Sequence, residues 1–244
     1  MIIHKIPKPI SLIGEYSNKS ISFSTCNFSH ISNIGNNKRY LLNKSIFNYY
    51  KYYFKNFFKL KSNIIKNISS IYFPYFFTTL FGNINYIHQN ENSWFNIKIP
   101  NNKLFFENIL MYHIRRKNFN YKHINNECLF NNVTINKMVE DFYDCYINND
   151  IKFAGKLIDS FFRIKTKTYP ESANDYIYKI YSECRLAGAI GGKMDENVLI
   201  LIAPKEQHEN IDLVMKENIK LKTSINTTGI ISEEIFGGNS NCCK

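Results

Sequence analysis

The sequence predicts an α+β protein whose C-terminal half forms a lobe of two layers, and three observations carry that expectation. Residues Ile10 to Ile34 alternate apolar residues with Ser and Asn in short runs ("ISLIGEY", "SISFSTCNFS"), the period of strands with two unlike faces. Between Ile151 and Lys165 the apolar residues fall instead at spacings of three and four (Ile151, Ala154, Leu157/Ile158, Phe161/Phe162), the period of a helix with one buried stripe. After a glycine turn stands "VLILIAP", apolar on every residue from Val198 to Ala203, which only a strand covered on both faces can bury.

Taken in chain order, Gly14 breaks the first alternating run, so paired strands flank a turn there. From Lys38 to Ile68, Lys recurs every three or four residues between aromatics, which predicts one or two basic amphipathic helices. "FGNINYIHQNENSWFNIKIP" reads as a hairpin turning near Gln89–Ser93, and "KLFFENILMYHI" adds an apolar strand. Val133 to Asn148 and Ile151 to Lys165 are helices, and Ser172 is placed to cap a third through "SANDYIYKIYSECRLA". "VLILIAP" follows as a central strand, then the helix "KEQHENIDLVMKEN", then "IKLKTSI" and "GIISEEIF", one or the other flanking the central strand. The expected organisation is an N-terminal lobe over 1–105, a C-terminal α+β lobe over 106–236 and a disordered tail over 237–244.

The net charge of +11 is concentrated early: residues 1–70 carry eleven Lys/Arg against one Glu, and residues 171–244 carry eight against eleven acids. A positive half of this kind draws polyanions, so nucleic acid or an anionic membrane surface enters as a partner class. The six cysteines form no CxxC pair and no regular framework, which fits a reducing, cytoplasmic setting. "ISSIYFPYFFTTLFGNINYI" is the one long uncharged run, and its Pro74, Gly82 and two Asn point to buried globular structure rather than a membrane span. The histidines are scattered, no metal-ligand spacing is present, and no metal is expected.

Several segments carry a resemblance. "KLIDSFFRIKT", "DYIYKIYSECRLA" and Gly188-Ala189-Ile190-Gly191-Gly192-Lys193 follow one another as in the C-terminal lobe of the GHMP kinases, most nearly the branch acting on D-glycero-D-manno-heptose 7-phosphate. "KPISLIGEYSN" resembles that family's first motif, and "FGNINYI" the Phe-Gly-Gly-Phe-Asn strand after its catalytic region. The resemblance implies a two-lobed GHMP-kinase-like fold with a reduced N-terminal lobe and a ferredoxin-like C-terminal lobe. It also implies ATP and Mg²⁺ as cofactors and a sugar or sugar phosphate as substrate. Gly14, Glu15, Ser17, Asn18 and Lys193 are carried over as substrate-binding positions, and Gly188, Gly191 and Gly192 as cofactor-binding positions.

The departures set the functional expectation. The family's Gly/Ser-rich phosphate loop has no counterpart in this chain, although backbone N–H groups at such a loop are what hold ATP. The family's catalytic Asp falls at Tyr75, a phenol that stays neutral and weakly basic at pH 7. The Thr-Asp pair of the first motif reads Ser17-Asn18, and "MDEN" replaces the glycine run after Gly-Gly-Lys, setting Asp195 and Glu196 where phosphates would lie. The first expectation is therefore a shortened sugar-kinase relative with impaired catalysis. A working sugar or sugar-phosphate kinase with a divergent ATP site, and a basic binding module, stand behind it.

Overall fold

A computed structural model describes residues 2–14, 17–32, 78, 82–90, 93–115, 133–168, 170, 173–228 and 231–234. The expectations for the basic segment 38–68, Glu15, Tyr75, the Ser172 cap and the 237–244 tail lie outside the described residues.

β1 (Ile2–Ile13) and β2 (Lys19–Ser32) are the two strands expected around Gly14, and β3 (Ile84–Asn90) with β4 (Ser93–Ile99) forms the predicted hairpin. With β9 (Ile231–Glu234) they make an antiparallel sheet in the order β4-β3-β2-β1-β9. The period of two sorts its residues by row. Ile10, Phe23 and Ile84 stand side by side in the hydrophobic core, while the next row is Ser11, Ser22 and Asn85. Both rows are buried.

The second sheet holds β5 (Ile109–His113), β6 (Gly191–Asp195), β7 (Val198–Ile202) and β8 (Ile219–Lys220) in the order β6-β7-β5-β8. Counted among these four strands, that is second, third, first, fourth, the ferredoxin-like arrangement. A short helix α1 (Lys103–Phe106) precedes β5. Among the described residues three helices separate β5 from β6: α2 (Val133–Asn148), α3 (Ile151–Thr168) and α4 (Asp175–Leu186). α5 (His208–Val214) separates β7 from β8. Asn174 caps α4, its side chain accepting from Ile177 N at 3.0 Å.

β7 is central, as its composition requires. Val198, Ile200 and Ile202 join the core shared with α2, α3 and the first sheet, while Leu199 and Leu201 join a second core with Ile177 and Ile180 of α4 and Ile211 of α5. Its neighbours differ from the expectation. β6 and β5 flank it, "IKLKTSI" pairs β5, and "GIISEEIF" crosses to β1 in the other sheet. The reason is connection length: a two-residue turn folds β6 directly onto β7, and β9 instead closes the otherwise unpaired edge of β1.

Candidate functional site

β1 and β6 come from opposite ends of the chain and meet at Ser11 and Asp195. β9 pairs β1 only over Ile2–Lys5, so farther along this edge an outward N–H needs another acceptor. Asp195 supplies it: Ser11 N donates to Asp195 Oδ2 at 3.0 Å. Asp195 is therefore a buried end-of-strand residue holding the two sheets together, not a charge presented at a surface turn.

Each glycine of "GAIGGK" has a packing partner. Gly188 (φ +109°) ends α4: its N–H and that of Ala189 donate back to Arg185 O and Cys184 O at 3.2 and 3.0 Å, closing the helix with a left-handed residue. Gly191 lets β6 lie directly against α3, where an added Cβ would stand 1.9 Å from Gly155 O. At Gly192 a Cβ would meet Ile200 O at 2.3 Å. Neither glycine leaves backbone open to a phosphate.

Lys193 is fully buried, its ammonium 5.3 Å from the centre of the Phe161 ring. Burial pushes its pKa down to about 8, against the pull of Asp195. Lys165, equally buried on α3, donates to Met194 O at 2.9 Å. Two lysines thus occupy the α3–β6 contact, where Asp195 and Asp159 also stand.

The link from β6 to β7 is Glu196-Asn197, with Glu196 at φ 51°. Asn197 O accepts from Ile114 N at 2.9 Å, and its side-chain amide lies 2.8 Å from His113 Nε2. "MDEN" is thus the end of a strand and a two-residue turn tied to β5.

On the β1 side, Gly14 turns the chain at φ +78°, where a Cβ would fall 2.1 Å from Lys19 O. Ser17 is buried, its hydroxyl within bonding distance of Gly14 O (3.2 Å) and Lys19 O (2.5 Å), so its proton closes the turn. Asn18 is half-buried at the entry to β2. Lys19 pairs with Glu140 of α2. Glu15 lies outside the described residues. Gly14 packs on α2 beside Val139 and Lys193 on α3 beside Phe161, and Ser17 and Lys193 both keep their polar atoms inside protein.

The sequence reading placed Phe161 in the buried stripe of α3 but missed Lys165 and the Gly155–Gly191 contact. Each had a signal: Lys165 continues the stripe Ile158, Phe161/Phe162, and Gly155 interrupts a helix at a cost of ~1 kcal/mol, which a close approach explains.

Among the described residues no group of three His, Cys, Asp or Glu can hold a metal ion, and no helix is long and apolar enough to cross a membrane. The committed glycine backbone offers ATP no cradle, so these residues do not fit ATP and Mg²⁺.

No protein-family model and no curated protein sequence matches the chain. Solved structures do. Mevalonate diphosphate decarboxylase from Staphylococcus aureus is 14% identical with a TM-score of 0.63, covering 96% of this chain and 99% of its own. A D-glycero-D-manno-heptose 1-phosphate kinase from Bacteriodes thetaiotaomicron is 9% identical with a TM-score of 0.58, covering 97% and 100%. A protein designated MDDEF, solved with MVAPP, AMPPCP and magnesium, is 12% identical with a TM-score of 0.61, covering 96% and 99%. These likenesses establish the fold: two antiparallel sheets with helices, in the α+β arrangement of the GHMP kinases.

Proposed function

We propose that this chain is a shortened relative of the GHMP sugar kinases that has lost ATP-dependent phosphoryl transfer while keeping the scaffold. The observation that carries the reading is the β6–β7 link, two residues without glycine, preceded by an aspartate engaged by Ser11 N. Phosphoryl transfer depends on backbone and cationic groups aimed at the transferring phosphate. Here Gly191 and Gly192 pack against Gly155 and Ile200, and Lys193 lies under Phe161. The absence of a Gly/Ser-rich loop from the sequence and the phenol at Tyr75 support the same reading.

A sugar or sugar phosphate remains the substrate class to examine, because one structural neighbour is a heptose 1-phosphate kinase. In this reading the positions around Gly14, Ser17 and Asn18 border any surviving sugar site. Lys193 joins it only if β6 moves away from α3. The cytoplasm is the compartment we assign.

The test is direct phosphoryl transfer: the purified chain with Mg²⁺ and γ-labelled ATP over a panel of hexoses, heptoses and their phosphates. No transfer above the uncatalysed background is expected. Turnover near ~1 s⁻¹, the ordinary scale for such enzymes, contradicts the proposal.

A further inference from the structure

Helices α3 and α4 leave between them a groove of about 370 Å³, lined mainly by Phe162, Arg163, Tyr178, Tyr181, Ser182 and Arg185. Tyr181 also lies against β6, its ring 3.2 Å from where a Cβ on Gly192 would stand, and the volume falls at the small end of the range for small-molecule sites.

Its floor is aromatic. The Phe162 ring meets Tyr181 edge-on at 5.2 Å and lies tilted against Tyr178 at 6.4 Å. Tyr178 is 43% exposed, so an aromatic surface is offered to a ligand.

Its charged groups are the guanidiniums of Arg163 and Arg185, each tied to the protein by one hydrogen bond. Asp159, the acid beside the groove, is already engaged on both oxygens: Tyr181 Oη donates to Oδ1 at 2.5 Å and Arg163 Nε to Oδ2 at 3.0 Å. Arg185 Nη1 donates to Ala189 O at 3.1 Å. Each guanidinium is thus anchored through one nitrogen and keeps further N–H donors for an anion, an arrangement suited to a planar fork binding phosphate oxygens. Burial and Asp159 hold the Tyr181 phenol above its ordinary pKa, so it stays neutral beside them. Ser182 adds an exposed hydroxyl, whereas Thr166 spends its own on Phe162 O at 3.0 Å.

We propose that the α3–α4 groove binds a small phosphorylated aromatic molecule, the class to which nucleoside monophosphates belong, with the ring on Tyr178 and the phosphate on Arg163 and Arg185. Two guanidiniums favour a phosphate dianion over a carboxylate, and the exposed ring favours a ligand with a planar body over a bare anion.

The experiment is titration of the whole chain, without Mg²⁺ and at low salt, with phenyl phosphate, AMP, benzoate and inorganic phosphate, followed by NMR or calorimetry. Saturable binding of phenyl phosphate and AMP is expected, about tenfold tighter than inorganic phosphate or benzoate. Arg163→Gln and Tyr178→Ala, both at exposed positions, should each weaken it about tenfold with the melting temperature unchanged. Equal affinity for inorganic phosphate would reduce the groove to surface charge, and binding untouched by both variants would place the ligand elsewhere. Absence of binding overturns the proposal as well. Because these arms contain neither Mg²⁺ nor a phosphoryl acceptor, their failure leaves the kinase reading untouched.

Discussion

In the second sheet, β7 is apolar on every residue and meets a hydrophobic core on each face. In the first sheet, β2 alternates, and among the described residues only one of its faces does so. The other face carries Ser20, Ser22 and Ser24, with Ser11 and Asn85 beside Ser22; all are at most 1% exposed. The serine hydroxyls and Asn85 Oδ1 have no hydrogen-bond partner among the described residues. A buried polar atom without a partner costs about 1–3 kcal/mol, so the two sheets are optimised to different degrees. The second is a packed unit in which even glycines and lysines are fixed by their neighbours. The first tolerates polar groups that nothing on these elements satisfies.

The sharpest way to break the second sheet is to widen the α3–β6 contact. Gly191→Ala places a methyl group 1.9 Å from Gly155 O and should cost about 3 kcal/mol or more, measured by urea denaturation. A loss below about 1 kcal/mol would mean that the contact gives way easily and the glycine is there for another reason.

Lys193 probes the same contact by pH. Its folded pKa near 8 lies below the unfolded value of about 10.4. Between these the unfolded chain binds the extra proton, so this group's contribution rises with pH through that window. The stability of the wild type relative to Lys193→Met should therefore increase from pH 8 to pH 10, by about 3 kcal/mol at most. A difference that stays flat, or falls, removes the buried amine from the account. Tyr112, Cys145 and Cys184, whose pKa values burial raises, act in the opposite direction but cancel in the comparison.

The smallest effect belongs to the first sheet. Ser22→Ala should leave stability unchanged or raise it by up to about 1 kcal/mol, since it removes a buried hydroxyl that lacks a partner. A loss of more than about 1 kcal/mol would show that this face is satisfied after all, and the contrast between the sheets would shrink.

Much of this architecture was legible because it rests on periodicity. α2, α3, the β3–β4 hairpin and the doubly covered β7 all follow from the spacing of apolar residues. What was not legible depends on pairing across long sequence separations. Nothing local in "GIISEEIF" says that it will close the edge of β1. Gly191 and Gly192 read as a turn because glycine is permissive, yet in β6 they serve close approach to α3 and β7. Asp195 read as an exposed repulsive charge because its acceptor role needs Ser11, 184 positions away in sequence. The serine alternation of β2 announces a strand, but ordinarily a wet face, and only the fold reveals that it is buried.

The central claim is that the glycine segment before β7 is a packing device without a nucleotide-phosphate role. Its most direct test is a calorimetric titration of the chain with ATP, with and without Mg²⁺, in the Arg163→Gln, Tyr178→Ala double variant, which weakens the α3–α4 groove at both of its proposed contacts. No saturable heat is expected up to millimolar nucleotide, where even a ligand with a Kd of ~1 mM gains about 4 kcal/mol. Mg²⁺-dependent binding in the micromolar range would contradict it.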